Sequence, residues 1–189
     1  MALQILETPR DDQVLCAPQQ SSASRLLMQT RLVGYEDLTP TQCQQLEQLE
    51  VTQEQTQFSG DIYTALNTLL VNPNPNVRGF VLLADEKPVG FFLLKRGDCL
   101  PHWAEEDLAA TLHALQIDRR EQGKGLGKAC LQALPAALKL KWPDITQLML
   151  SVDADNSAAI GLYTGQGWID TGEAYRGRIG FERRLVLTL

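Results

Sequence analysis

A glycine-rich stretch, Gln122-Gly123-Lys124-Gly125-Leu126-Gly127-Lys128, constrains the fold of this chain more than any other feature. It follows an apolar run over residues 109–117, which has the length of a buried strand. It opens an apolar segment of helical periodicity over residues 126–142. A strand that ends in such a turn and continues as a helix directs backbone N–H groups and the positive helix end at one point. Such a point binds phosphate, and Lys124 and Lys128 add positive charge beside it.

Two common phosphate-binding patterns do not fit this spacing. A Walker A loop ends in Gly-Lys-Ser/Thr and begins with glycine five residues before that glycine, but here Gln122 and Ala129 occupy the outer positions. A dinucleotide fingerprint, G-x-G-x-x-G/A, would place Lys128 or Cys130 at its last small position. That fingerprint also belongs to an early βαβ unit, whereas this loop lies past mid-chain. The sequence therefore predicts neither a P-loop nor a dinucleotide-binding loop.

The pattern that fits is Q/R-x-x-G-x-G/A, with Gln122, Gly125 and Gly127 at its defined positions. It resembles the pyrophosphate-binding loop of the GNAT superfamily, the acyl-CoA-dependent N-acyltransferases. A second segment resembles another signature of that family: a short strand, Asn-x-x-Ala, a helix with Leu-Tyr, then Gly and an aromatic residue. Those positions hold Asn156, Ala159, Leu162, Tyr163, Gly167 and Trp168. A glycine-rich connection that binds nothing is the alternative interpretation.

This resemblance implies an N-acetyltransferase that moves the acetyl group of acetyl-CoA, as cosubstrate, to a primary amine by direct attack in a ternary complex. Backbone groups of residues 115–117 would follow the pantetheine arm, and those of residues 123–128 would hold the pyrophosphate. Asn156 would hydrogen-bond the pantetheine region, and Tyr163 would donate its proton to the CoA thiolate. No metal is expected. The implied cofactor-binding residues are Leu115, Gln116, Ile117, Gln122, Gly123, Lys124, Gly125, Leu126, Gly127, Lys128, Asn156 and Tyr163.

Most of these residues also have a structural interpretation that the sequence leaves open. Asn156 has the type and position of a helix N-cap. Tyr163 would serve equally as a core aromatic residue, and Lys124 and Lys128 as surface lysines. Leu115 and Ile117 are core-type side chains in either case.

The sequence does not identify the general base. Some members of the family it resembles carry a glutamate on the strand before the phosphate loop, where this chain offers Thr111 and His113 instead. Others carry one five residues before the signature asparagine, where this chain has Ser151. Strand alternation predicts that Thr111, His113, Leu115 and Ile117 share one face, so His113 would point at the substrate with a pKa suited to proton transfer. A buried core histidine is the alternative, and a water relay without a dedicated residue is the preferred interpretation. The other candidates are Glu36, Glu54, Glu105 and Asp153.

The periodicity and the capping residues of the rest of the sequence predict the fold. Residues 1–24 are polar and aperiodic, which predicts an extension outside the core, and residues 25–189 form a single predicted domain. A strand over 25–33 leads to a helix that Thr39, Pro40 and Gln42 cap, and residues 51–59 are predicted as a loop before a helix over 61–71. The order βααββ and then βαβαββ is that of the GNAT fold. It implies an α/β (mixed α+β) domain whose mixed, mostly antiparallel sheet of about seven strands carries helices on both faces.

Composition restricts the partners and the compartment. A net charge of −6 at pH 7 disfavours nucleic acid and weakly favours a cationic substrate. No apolar run reaches membrane-spanning length and the N-terminus carries acidic residues, so neither a membrane span nor a signal region is predicted. The four cysteines are far apart and show no zinc or disulfide spacing, which predicts a reducing, cytoplasmic location.

Three functions remain open at this stage. The favoured one is acetylation of a small-molecule amine, either a polyamine-like amine or an amino acid. The others are acetylation of a protein N-terminus or lysine, and a non-catalytic acyl-CoA-binding sensor module; a homodimer is possible in each case. Segments 51–59, 97–107 and 175–180 are the expected walls of the acceptor site. Acidic residues there favour a cation, whereas Arg176 and Arg178 favour an acceptor with a carboxylate.

Overall fold

The computed structural model describes residues 28–104, 107–177 and 180–189. The predicted extension over residues 1–24, and the loop residues Glu105, Glu106 and Arg178, lie outside the described residues. Within these segments the strands are β1 (Thr30–Gly34), β2 (Val77–Ala84), β3 (Lys87–Arg96), β4 (Ala109–Ile117), β5 (Gln147–Asp153), β6 (Ile169–Arg176) and β7 (Phe181–Thr188). The helices are α1 (Pro40–Leu46), α2 (Gln53–Ser59), α3 (Ile62–Leu70), α4 (Leu126–Lys141) and α5 (Ser157–Thr164).

The seven strands form one sheet in the order β1-β2-β3-β4-β5-β7-β6. Only β4 and β5 run parallel within the described segments, and every other pair is antiparallel. One apolar cluster packs α4 and α5 on one face of the sheet, and a second packs α1 and α3 on the other. The predicted fold class is therefore confirmed. No described helix has the length and apolar character to cross a membrane.

The two parallel strands separate along their length. Residues 109–111 of β4 pair with residues 147–149 of β5, and no further pairs join these strands within the described residues. Both strands nevertheless continue, to Ile117 and to Asp153, because β3 pairs with β4 and β7 pairs with β5 on their outer sides. The sheet therefore opens between β4 and β5 near their carboxyl ends, where ligands commonly bind in open α/β sheets.

A β-bulge interrupts β4 at Ala114, three residues beyond its last pair with β5. His113 pairs with Leu93, whereas Gln116 pairs with Phe91, so β4 accommodates one more residue than β3 between these pairs. Ala114 adopts a φ of 53°, which non-glycine residues uncommonly do. A bulge of this kind redirects the side chains that follow it.

The bulge overturns the predicted alternation of β4. Leu115 and Ile117 pack against the cluster that contains Leu112 on the α4 face. Thr111 and His113 lie on the opposite face, since they alternate with Leu112 before the bulge. The prediction that Thr111, His113, Leu115 and Ile117 share one face is therefore wrong, because the extra residue reverses the alternation after Ala114.

Residues 51–59, predicted as a loop, contain the helix α2. Thr52 Oγ1 accepts a hydrogen bond from the Gln55 backbone at 3.3 Å, and the Gln55 side chain accepts one from the Thr52 backbone at 3.2 Å. This capping box matches the one predicted at Thr39 and Gln42, which the structure confirms. None of the α2 residues is buried, so hydrophobic periodicity gave no signal for this helix.

Candidate active site

The predicted phosphate loop connects β4 to α4. α4 begins at Leu126, and its N-cap residue Gly125 has a left-handed backbone with a φ of 79°. Gly123 has a φ of 77°. Only glycine adopts such angles at little cost. No side chain caps this helix, so its first backbone N–H groups are available to an anion.

A cleft of about 640 Å³, the loop cleft, opens beside these N–H groups. The α2 helix forms one wall and the start of α5 forms another. Lys124, which was predicted to bind the cofactor, does not line this cleft, and its ammonium pairs with the Glu121 carboxylate at 2.6 Å. The predicted cofactor residues that the structure brings together around it are Leu115, Gln116, Ile117, Gln122, Gly123, Gly125, Leu126, Gly127, Lys128, Asn156 and Tyr163.

Gln122 holds the loop to the end of β4 and to α2. Its Nε2 donates to the Ile117 carbonyl at 2.8 Å and to Gln55 Oε1 at 2.9 Å. Gln55 Nε2 returns a hydrogen bond to Gln122 Oε1 at 3.3 Å. The two amides therefore join the phosphate loop to the helix that forms the opposite wall of the loop cleft.

A second cleft of about 250 Å³, the strand cleft, occupies the gap between the separated strands. Its lining comes from β4, β5, α2 and the start of β7. The two clefts meet, because they share the lining residues Phe58, Ser59, Leu115, Asn156, Ala159 and Tyr163. A ligand held by the phosphate loop and a ligand in the strand cleft would therefore contact each other near Tyr163.

Tyr163 is buried at this junction, in edge-to-face contact with Trp168 at 5.7 Å between ring centroids. Burial, with a smaller contribution from Cys130, raises the pKa of its hydroxyl well above the usual value near 10. The hydroxyl makes no hydrogen bond within the described part of the chain. Tyr163 is therefore protonated at neutral pH, and no other described residue accepts its proton in a hydrogen bond.

Asn156 is the N-cap of α5, and its contact with the pantetheine region stays a prediction. Its Oδ1 accepts a hydrogen bond from the Ala159 backbone at 3.1 Å, so it is the N-cap of α5. It also lines both clefts. Because the cap uses only the carboxamide oxygen, the Nδ2 group remains available to a ligand.

Comparison with known proteins decides the family. The model of the Acetyltransferase (GNAT) family matches residues 43–168, a span that contains both clefts apart from their β7 edge. The chain belongs to the GNAT acetyltransferase family. Members of this family use acetyl-CoA.

Two relatives and one solved structure show the range of similarity. An uncharacterized N-acetyltransferase, YbbJ of Bacillus subtilis, is 32% identical over 101 residues, which are 53% of this chain and 63% of that protein. The mycothiol acetyltransferase of Thermobispora bispora is 35% identical over 91 residues, 43% of this chain and 30% of that protein. The chain thus spans less than two thirds of either relative. The spermidine N-acetyltransferase of Vibrio cholerae, solved with CoA and spermine, superposes with a TM-score of 0.61 at 18% identity, covering 85% of this chain and 95% of that one.

The carboxylates considered as bases in this GNAT domain are scattered. Glu36 pairs with Lys141 at 2.8 Å, and neither residue lines a cleft. Glu54 lines the loop cleft, and Asp153 lines the strand cleft. Ser151 lines the strand cleft as well, at the position where some family members carry a glutamate. Glu105 lies outside the described residues.

His113 reaches the strand cleft, but its basicity is low. Burial, followed by the charge of Lys95, lowers its pKa to about 4. Its Nε2 lies 2.7 Å from the Thr111 hydroxyl, which contacts the Lys95 carbonyl at 3.5 Å. The prediction that His113 is the base remains untested, but a pKa near 4 makes it a weak proton acceptor at neutral pH.

We expect this shifted pKa to make the protein less stable in mild acid. Between the unfolded pKa of 6.5 and the folded value of about 4, the unfolded chain binds more protons at this site. As the pH falls through this window, the free energy of unfolding therefore decreases by up to about 3 kcal/mol because of His113. Denaturant titrations at pH 7 and pH 4.5, compared between wild type and His113→Asn, measure it. An equal pH dependence in the two proteins would show that His113 titrates normally.

Sequence reasoning expected residues 51–59 at the acceptor site but as a loop instead of a helix, and it missed Glu182. Gln55 and Phe58 belong to α2, and the Thr-x-x-Gln capping pattern could have predicted that helix. Glu182 lines the strand cleft from β7, although no motif surrounds it. The segment over residues 97–107, expected as an acceptor wall, contributes no described residue to either cleft.

Proposed function

We propose that this protein is an N-acetyltransferase that binds acetyl-CoA in the loop cleft and acetylates the primary amine of a small molecule in the strand cleft. The observation that carries the proposal is the meeting of the two clefts at Tyr163, with the phosphate loop bordering one of them. A cosubstrate and an acceptor in these positions form a ternary complex, in which direct attack needs no covalent enzyme intermediate.

The residues of the loop cleft suit the phosphates of CoA. The uncapped start of α4 offers N–H donors and the positive helix end, and Lys128 adds a positive charge. A Cβ atom at Gly123 or Gly125 would meet nothing within 4 Å, so open space lies against the backbone there. Gln116 is buried, and its Oε1 has no hydrogen-bond partner within the described residues, which leaves a polar acceptor at the wall of the cleft.

Acetyl transfer requires the protein mainly to position the two substrates and to transfer protons. The thioester supplies an activated acetyl group. The attacking amine must be neutral, although alkyl ammonium groups have a pKa of about 10, so one proton leaves before attack and a second leaves as the amide forms. The nitrogen–carbon bond forms, the carbon–sulfur bond breaks, and Tyr163 is suited to give its proton to the leaving sulfur. Water can return a proton to the tyrosine, so that the net reaction releases one proton.

The size of the strand cleft favours a small acceptor over a protein. Its volume of about 250 Å³ lies just below the usual range for small-molecule sites, which begins at about 300 Å³. The fold shared with the spermidine N-acetyltransferase is consistent with this choice. The cytoplasmic location and the possible homodimer remain predictions.

Free-thiol release from acetyl-CoA, measured against polyamines, monoamines, amino acids, aminoglycosides and short peptides, tests the proposal. We expect turnover with small amines and a thermal shift with acetyl-CoA alone. Turnover only on peptides would identify a protein acetyltransferase instead. A thermal shift without any turnover would favour the acyl-CoA-binding sensor, and the absence of both would refute the assignment of the loop cleft.

A further inference from the structure

We infer that the side-chain carboxamide of Gln116 binds the pantetheine arm of the acyl donor, by accepting a hydrogen bond from one amide N–H of that arm. This inference rests on the proposed function, because it takes the loop cleft as the site of acetyl-CoA. The family resemblance implies only backbone contacts between residues 115–117 and the arm. The side chain is therefore an additional determinant, which favours pantetheine thioesters over simpler ones.

The Gln116 side chain is buried, yet one of its polar atoms is unpaired. Only 1% of the residue is exposed, and Oε1 has no hydrogen-bond partner within the described residues. Leaving a buried acceptor unpaired costs free energy, so such atoms in native proteins usually meet a water molecule or a ligand. Because Gln116 lines the loop cleft, a ligand bound in that cleft can supply the missing donor.

The surroundings fix which end of the carboxamide is unpaired. Nε2 donates to the Ser59 carbonyl at 3.4 Å, and a carbonyl can only accept, so the nitrogen faces the end of α2. The Ser59 hydroxyl donates to the Gln55 carbonyl at 3.2 Å or to the Gly60 carbonyl at 3.1 Å, so it does not donate to Oε1. None of the α2 residues is buried, so a small displacement of this helix can admit a donor to the carboxamide. The missing partner is therefore an N–H or O–H group.

The position of Gln116 in the loop cleft selects the part of acetyl-CoA that it meets. Leu115 lies where the two clefts meet, since it lines both, and the Ile117 carbonyl accepts a hydrogen bond from Gln122 of the phosphate loop. Gln116 lies between these two residues. An acetyl-CoA molecule with its pyrophosphate on the loop and its sulfur beside Tyr163 places the pantetheine arm along this stretch.

The pantetheine arm offers two amide N–H groups and one hydroxyl as donors. A hydroxyl hydrogen rotates to suit whichever acceptor is nearby, whereas the direction of an amide N–H is fixed by the planar amide. An amide N–H that loses its water on binding therefore depends more strongly on an acceptor already in place. A buried, fixed Oε1 provides such an acceptor.

Ester analogues of acetyl-CoA test this contact in the unmodified protein. Replacing one amide nitrogen of the arm by oxygen keeps its length and its carbonyl but removes the donor. One of the two single replacements should raise the Kd about tenfold, which is the range of a buried acceptor left unpaired. Calorimetric titration measures the Kd of each analogue.

The variant Gln116→Met identifies the acceptor. Methionine has nearly the length of glutamine but no strong hydrogen-bonding group. The variant should bind acetyl-CoA about tenfold more weakly than the wild type and should no longer distinguish acetyl-CoA from the ester analogue. Its melting temperature without ligand should not fall, because the substitution removes a buried unpaired acceptor from the free protein. A structural role for Gln116 predicts the opposite, a lower melting temperature with unchanged discrimination between the thioesters.

Gln44→Met is the matched control, since Gln44 is exposed on α1 and lines neither cleft. It should keep the wild-type affinity and discrimination. Equal discrimination by the wild type and Gln116→Met would overturn the inference and assign Oε1 to a buried water molecule. An effect of Gln116→Met on the KM of the acceptor amine alone would also overturn it. Both results leave acetyl-CoA binding intact, whereas a wild-type protein that does not bind acetyl-CoA would refute the proposed function as well.

Discussion

Gly125→Glu should abolish acetyl-CoA binding, with Kd raised at least a hundredfold. The substitution places a carboxylate at the N-terminus of α4, where it would occupy the same N–H groups and helix dipole that are proposed to hold the pyrophosphate. Electrostatic repulsion between this carboxylate and the phosphates of CoA lowers the affinity further. The φ of 79° also disfavours any side chain, at a cost of about 1–2 kcal/mol. Calorimetric titration with acetyl-CoA measures the effect directly.

Gly172→Glu is a matched control for this change. Gly172 has a φ of 78°, and a Cβ atom there would meet nothing within 4 Å, as at Gly125. It lies on β6, away from both clefts, so the variant carries the same strain and charge elsewhere. We expect similar melting temperatures for the two variants and normal acetyl-CoA affinity for Gly172→Glu alone. Normal affinity in Gly125→Glu would refute the phosphate-loop assignment.

The loop was predictable from sequence because its function depends on local backbone geometry. A strand, glycines at positions that need positive φ, and an uncapped helix leave a pattern of residue types at fixed spacing. The capping box at Thr39 was predictable for the same reason. The mixed, mostly antiparallel sheet with helices on both faces was predicted from the resemblance to the family, since local patterns do not specify which distant strands pair.

The parts that sequence reasoning missed depend on long-range pairing. The bulge at Ala114 becomes visible only when β4 is aligned with β3, and it changes which residues face the cleft. Glu182 becomes a cleft residue because β7 pairs with β5 and places it opposite Asp153. The low basicity of His113 arises from burial and from Lys95, which lies on a different strand. None of these relations leaves a periodic signal in the sequence.

Tyr163→Phe should lower kcat about a hundredfold or more, which is the usual contribution of a positioned general acid, and leave the affinity for acetyl-CoA nearly unchanged. The substitution removes one oxygen and keeps the ring that packs against Trp168 in the core. Because the hydroxyl makes no hydrogen bond within the described residues, its removal leaves no described polar group unpaired there. The effect should therefore appear in turnover and not in stability. Single-turnover kinetics and calorimetric titration separate the two quantities.

The leaving group distinguishes proton donation from a positioning role. If Tyr163 protonates the departing sulfur, an acetyl thioester of a more acidic thiol needs that proton less, and the deficit of Tyr163→Phe should shrink with it. A tyrosine that only positions the substrate would produce the same deficit with every thioester. Tyr63→Phe is the control, since Tyr63 is exposed and lines neither cleft.

Because burial keeps the pKa of Tyr163 above its ordinary value, the donor stays protonated at alkaline pH, and kcat should not fall between pH 7 and about 10 through loss of this proton.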